Sequence, residues 1–177
     1  MRLKRKAATG LVILICFLLQ STVFQFLSIG SIAPNLLLIV TISFGFMQGK
    51  LSGMWIGFVC GLLNDMFYGD LMGFYALIFA CIGYCAGFCT KIFYEEEIRV
   101  PLVLVAGGDL IYGILVYGAQ FLLRGRIELL YYFRRIIIPE MIYTVLITVV
   151  LYKLLYKLNK KLTELEMKER DSIWLRK

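Results

Sequence analysis

Histidine is absent from this chain, which removes Ser-His-Asp catalysis, histidine-bearing metal sites and a histidine pH switch. Charge is scarce as well: 18% of the 177 residues are charged and 60% are hydrophobic, with a mean hydropathy of +0.81. A soluble domain carries about a quarter charged residues, so this balance excludes one. Other chemistries lack their residues. Cys81, Cys85 and Cys89 lie one helical turn apart, but inside an apolar stretch they read as small packing residues, as do Cys16 and Cys60. Neither zinc nor a disulfide is expected. "GFMQGK", Gly45 to Lys50, imitates a phosphate loop, yet it has three residues between its glycines where the motif needs four, and Leu51 stands where Ser or Thr belongs. Asp65 and Asp70 have no accompanying acidic cluster or substrate motif. The chain is therefore read as non-enzymatic, with no cofactor and no metal. Its net charge of +7 comes without a basic-aromatic surface, so nucleic acid is not an expected partner.

What the chain does have is apolar length. Crossing about 30 Å of hydrocarbon takes about 20 helical residues, so the sequence holds about six spans and no separate soluble domain. The first reads from Ala7 to Ile29 behind Arg2, Lys4, Arg5 and Lys6. Those cations, with the cleavage-like Ser31 and Ala33, imitate a signal peptide. The apolar run exceeds the usual length of about 7 to 15 residues, and Pro34 would follow the scissile bond, so the segment is read as an uncleaved anchor. Pro34 suits the first turn of a second helix, carrying Asn35 to Met47. After a break at Gly49 and Lys50, further spans read Leu51 to Tyr68 and Leu71 to Thr90. "KIFYEEEIR" and Pro101 precede Leu102 to Leu123, and the loop "RGRIELLYYFRR" precedes Ile136 to Tyr156.

Leu151, Leu154, Leu155, Leu158, Leu162 and Leu165 keep helical spacing, with Lys153, Lys157, Lys160 and Lys161 on other faces. Residues 1–160 thus read as one polytopic domain, and 161–177 as an amphipathic tail with Trp174 at the interface. Six spans put both termini on one side. That side holds the basic start, Lys50, Lys91, Arg99 and the cations from Lys153 onward, against Arg124, Arg126, Arg134 and Arg135 opposite, so both termini read as cytoplasmic. The tail is expected to attract anionic membrane lipid. The expected fold is an all-α integral membrane protein, a compact bundle of about six transmembrane helices.

Within that bundle, Gly49, Gly53, Gly57 and Gly61 recur every four residues, and the next step lands on Asp65. Each glycine costs a helix roughly 1 kcal/mol relative to alanine. Close approach of a second helix offsets the loss, because lipid gives helices no hydrophobic reason to associate. Candidate partners are Gly73, Ala76, Ala80, Gly83 and Gly87 in the fourth span, and Gly107, Gly108, Gly113 and Gly118 in the fifth. The same contacts serve either tightening of one chain or a homodimer.

Polar residues inside the spans form the second candidate site. Asp65 lies near the outer end of the third span and Asp109 deeper in the fifth. Glu140 opens the sixth, where a helix N-terminus favours negative charge, and Arg134 and Arg135 are within reach of it or of Asp65. One outward-facing cluster is expected, read as a lock on helix register ahead of a proton or substrate path. Gln20, Gln25 and Asn35 are expected to make interhelical hydrogen bonds.

"LLQSTVF" in the first span, "APNLLLIV" opening the second and "GFVCGLLNDMFYGDLMGFYAL" across the third and fourth resemble the bacterial rod shape-determining MreD family, from about Leu11 to Lys160. Asn35 stands where that family is expected often to carry aspartate, which questions any charge-dependent role there. The resemblance implies a non-enzymatic scaffold of the cell-elongation machinery in the bacterial cytoplasmic membrane. It implies MreC as partner and, indirectly, MreB, RodA and RodA's penicillin-binding partner. It also implies a fold similar to the substrate-binding subunits of energy-coupling-factor vitamin transporters. Such a vitamin-binding subunit is the alternative function, although the first span lacks that family's alanine-x-x-x-alanine docking pattern.

Overall fold

The computed structural model describes residues 2–26, 33–69, 72–90, 98–124 and 133–174. Ser31, Asp70, Lys91, Arg126, the acidic run and most of the loop before the sixth expected span fall outside them, as do the Gln25 and Trp174 side chains. Every regular element among the described residues is helical. They are α1 (Arg2–Ser21), the one-turn α2 (Val23–Phe26), α3 (Leu36–Gln48), α4 (Lys50–Tyr68), α5 (Phe74–Cys89), α6 (Arg99–Arg124), a π-helical turn (Phe133–Ile137) and α7 (Ile138–Trp174).

Helix ends depart from the expected spans where side chains or prolines intervene. α1 stops at Ser21, because the Ser21 and Thr22 hydroxyls both donate to the Leu18 carbonyl and crowd an acceptor the helical ladder also uses. Pro34 is not in the first turn of α3. It precedes the N-cap Asn35, whose Oδ1 accepts from the Leu38 N–H at 3.2 Å. α6 begins at Arg99, ahead of Leu102, since Pro101 falls in a first turn that needs no N–H from it. Pro139 has no N–H for the Arg135 carbonyl, and the ladder widens into the π turn just before it. α7 then runs unbroken for 37 residues, about 55 Å.

The stretches Arg99–Ala119 and Phe133–Leu165 are long and apolar enough to cross a membrane, whereas Leu36–Gln48 and Phe74–Cys89 are apolar but shorter. At 13 residues α3 reaches only about 20 Å; it is the short apolar segment expected from Asn35 to Met47. Every residue from Leu36 to Met47 is buried, and a helix apolar on all sides needs neighbours on all sides. α3 packs against α1, α4, α5, α6 and α7 and forms the axis of the bundle.

Helices consecutive in the chain run antiparallel around that axis. Gly49, at φ +88°, turns α3 directly into α4, a backbone conformation that glycine adopts without a Cβ clash. α4 and α5 form the most extensive pairing. The start of α1 lies beside the distal part of α7, with Arg5 Nη2 donating to Asn159 Oδ1 at 3.0 Å. At the other end the Phe24 and Tyr143 rings meet edge to face, centroids 6.4 Å apart. The beginning of α1 and the distal half of α7 therefore share one end of the bundle.

Candidate functional site

Three helices meet along a seam that has almost no side chains. A Cβ placed on Gly53 would lie 2.7 Å from Gly45 Cα of α3 and collide with the Gly83 carbonyl of α5. One on Gly57 would collide with the Phe79 carbonyl and meet Thr41 Cγ2 at 3.0 Å. One on Gly61 would lie 2.5 Å from the Tyr75 carbonyl oxygen, and one on Gly87 2.5 Å from the Lys50 nitrogen. Apart from Thr41 Cγ2, these obstacles are backbone atoms, which cannot swing aside as a side-chain tip can. Thr90 fastens the open end of the seam, its hydroxyl donating to the Phe46 carbonyl at 2.7 Å.

The row is thus consumed within one chain, by α5 and α3. The expected alternative partners in the fifth span are not used this way. Gly107 and Gly118 face open space, Gly108 meets only the ends of Ile42 and Ile82, and Gly113 meets the Ile137 side chain. Gly49 belongs to the turn, with nothing within 4 Å of its own Cβ position. Cys16 and Cys60 are buried packing residues as expected, but Cys81 and Cys85 are exposed on the outer side of α5.

Asp65 closes the α4–α5 hairpin. Its Oδ2 accepts from the Gly73 and Ala76 N–H groups, each at 3.0 Å, and its Oδ1 from the Tyr75 N–H at 2.9 Å. These are first-turn donors of α5, which have no partner inside the helix, and a carboxylate at a helix N-terminus is also favoured by the helix dipole. Its main-chain carbonyl meanwhile accepts from Gly69 N–H at the end of α4.

In the expected polar cluster, Asp65 and the Asp109–Glu140 pair have different neighbours. Asp109 of α6 and Glu140 of α7 come within electrostatic reach of one another and of the Tyr112 hydroxyl, with Asn64 beside it. Asp109 is 3% exposed. Thr144 lies beside its carboxyl, whose Oδ1 has no partner. Thr144 Oγ1 accepts from the Asn35 N–H at 3.3 Å, so one threonine ties the start of α3 to α7 beside Asp109. Gln20 reaches the same place, its Oε1 accepting from the Leu37 N–H at 3.1 Å. Asp65 turns away to α5, and Arg134 and Arg135 are exposed in the π turn. The caps on α3 need only a carbonyl oxygen, so Asn35 fills its place without charge. Thr144, Asn64 and Tyr112 were not anticipated. Thr144 and Thr148, one turn apart in an otherwise apolar stretch, were the available signal.

The outer side of the α4–α5 pair is broad and apolar: Trp55 is 63% exposed, and Phe58, Val59, Leu77, Tyr84 and Phe88 are exposed with it.

Seam, caps and buried polar links define an all-helical bundle with membrane-length apolar helices, in which the recognisable polar groups hold helices together. The chain belongs to the MreD family: the family described as rod shape-determining protein MreD matches residues 1–162. It is accordingly a membrane protein of the rod-shape-determining system. No curated protein and no solved structure matches the chain, so the expected likeness to energy-coupling-factor subunits has no support.

Proposed function

We propose that this chain is a non-enzymatic, multi-pass scaffold of the bacterial elongation machinery, with both termini cytoplasmic. It binds MreC and, through it, helps position RodA and its penicillin-binding partner along MreB. The observation that carries this reading is the α4–α5 pair, locked by backbone contact on its inner side and apolar on its outer side. A face supported by glycine-to-carbonyl contacts cannot repack easily, which suits a docking platform better than an adaptable pocket. Because the glycine row is occupied internally, the partner meets the outer aromatics rather than a small-residue groove. A homodimer would likewise need a face other than the seam.

Orientation follows from the cations. Arg5, Lys50, Arg99, Lys153 and Lys157 gather at one end of the bundle and Arg134 and Arg135 at the other, which favours a cytoplasmic location for the richer end.

The test is recovery of MreC with the chain in native-like lipid. The expected result is co-purification with wild type and a several-fold loss for Trp55→Ala combined with Phe58→Ala at unchanged thermal stability. Failure of MreC to associate with the wild-type chain removes the main content of this reading.

A further inference from the structure

We propose that the outward face of α7 binds an anionic phospholipid, its phosphate between Lys153 and Lys157 and an acyl chain along Ile142, Leu146 and Val150; this rests on the membrane reading above. At about 100° per residue, Thr144, Thr148, Tyr152, Leu155 and Asn159 occupy a sector of about 80°, and all five are buried. The opposite sector, about 120° wide, carries Ile142, Leu146, Val150 and Leu154, all exposed. It then carries Lys153, Lys157, Lys160 and Lys161, also exposed. One face changes from apolar to cationic within a single turn.

That change falls where a headgroup layer belongs. From Arg135 to Lys153 the helix rises about 27 Å, close to the thickness of a hydrocarbon core of about 30 Å. Cations thus bracket the apolar stripe. Lys153 and Lys157 are one turn apart on the same face, about 6 Å between Cβ atoms, a spacing that lets two ammonium groups share one phosphate. Their stems can lie along Leu154 while the charges reach outward. Among the described residues no carboxylate pairs with either lysine, whereas Arg5 at the same end already donates to Asn159. An acidic protein would satisfy the lysines but would leave unexplained the apolar stripe that continues beneath them. A lipid occupies both with one molecule.

The full-length chain in mild detergent is titrated with phosphatidylglycerol or phosphatidylcholine of identical acyl chains, and bound lipid is counted by native mass spectrometry. Wild type is expected to retain phosphatidylglycerol roughly 25-fold better, from two lysines near a headgroup. At about fivefold per lysine near a headgroup, Lys153→Gln with Lys157→Gln brings the ratio close to one. Arg134→Gln with Arg135→Gln, at the opposite end of the stripe, leaves it unchanged. Equal retention by wild type overturns the proposal, as does a preference that survives loss of both lysines. Loss of an acidic cytoplasmic protein from the lysine variant with its lipid preference intact overturns it in favour of a protein partner. Alkaline carbonate extraction keeps the underlying reading separate: release of the chain from membranes refutes membrane insertion, whereas a retained chain without lipid preference refutes the lysine site alone.

Discussion

The α3–α4–α5 core and the α6–α7 pair solve the same packing problem in different ways. In the first, Gly53, Gly57 and Gly83 bring backbones into direct contact, and carbonyl oxygens occupy the space where side chains would stand. In the second, α6 carries four glycines and α7 none, Gly107 and Gly118 face open space, and polar side chains gather around Asp109 and Thr144. Small residues therefore permit close approach without causing it. Approach follows where a second glycine or alanine and a short connection put two backbones in register, as Gly49 does for α3 and α4.

This contrast can be broken by substitution. Gly57→Leu forces a side chain into the Phe79 carbonyl and should cost more than about 3 kcal/mol, seen as failure to recover folded, monodisperse protein. Asp65→Ala strands three first-turn donors of α5 and should cost about 3 kcal/mol in thermal unfolding. Asp65→Asn, which keeps one acceptor oxygen, should fall between it and wild type. In the second region Thr144→Val removes the acceptor for the Asn35 N–H, beside Asp109, at almost constant volume. About 1 kcal/mol is expected there, measured in the same assay. Gly118→Ala should be neutral or stabilising by up to about 1 kcal/mol, because it gains helix propensity and meets nothing.

Much of the core was legible because its signal is local. Glycines at every fourth position mark a helix built for contact, and the break at Gly49 separates α3 from α4 within a residue of the expected place. The choice of α5 over α6 was not legible, since both helices carry small residues and only the folded backbone decides between them. Nor was the fate of Asp65. Its cost inside a span is plain from sequence, but its donors lie eight to eleven residues onward, beyond a turn whose shape depends on Gly73 at φ +96°. Whether lipid or protein surrounds α3 was not legible, because an unbroken apolar run reads the same in either. Cys81 and Cys85 were misjudged for the same reason: apolar surroundings do not say which way a helix is turned. Thr144 was missed because a threonine hydroxyl in a helix usually returns to its own preceding turn, as Thr148 does to the Thr144 carbonyl at 2.7 Å.

Paired thermal unfolding of Gly57→Ala and Gly107→Ala in lipid nanodiscs tests backbone contact along the seam most directly, because both add one methyl group to a glycine in an apolar helix. The midpoint of Gly57→Ala should fall by roughly 6 °C or more, while that of Gly107→Ala should stay level or rise. Equal shifts for the two variants would contradict the account.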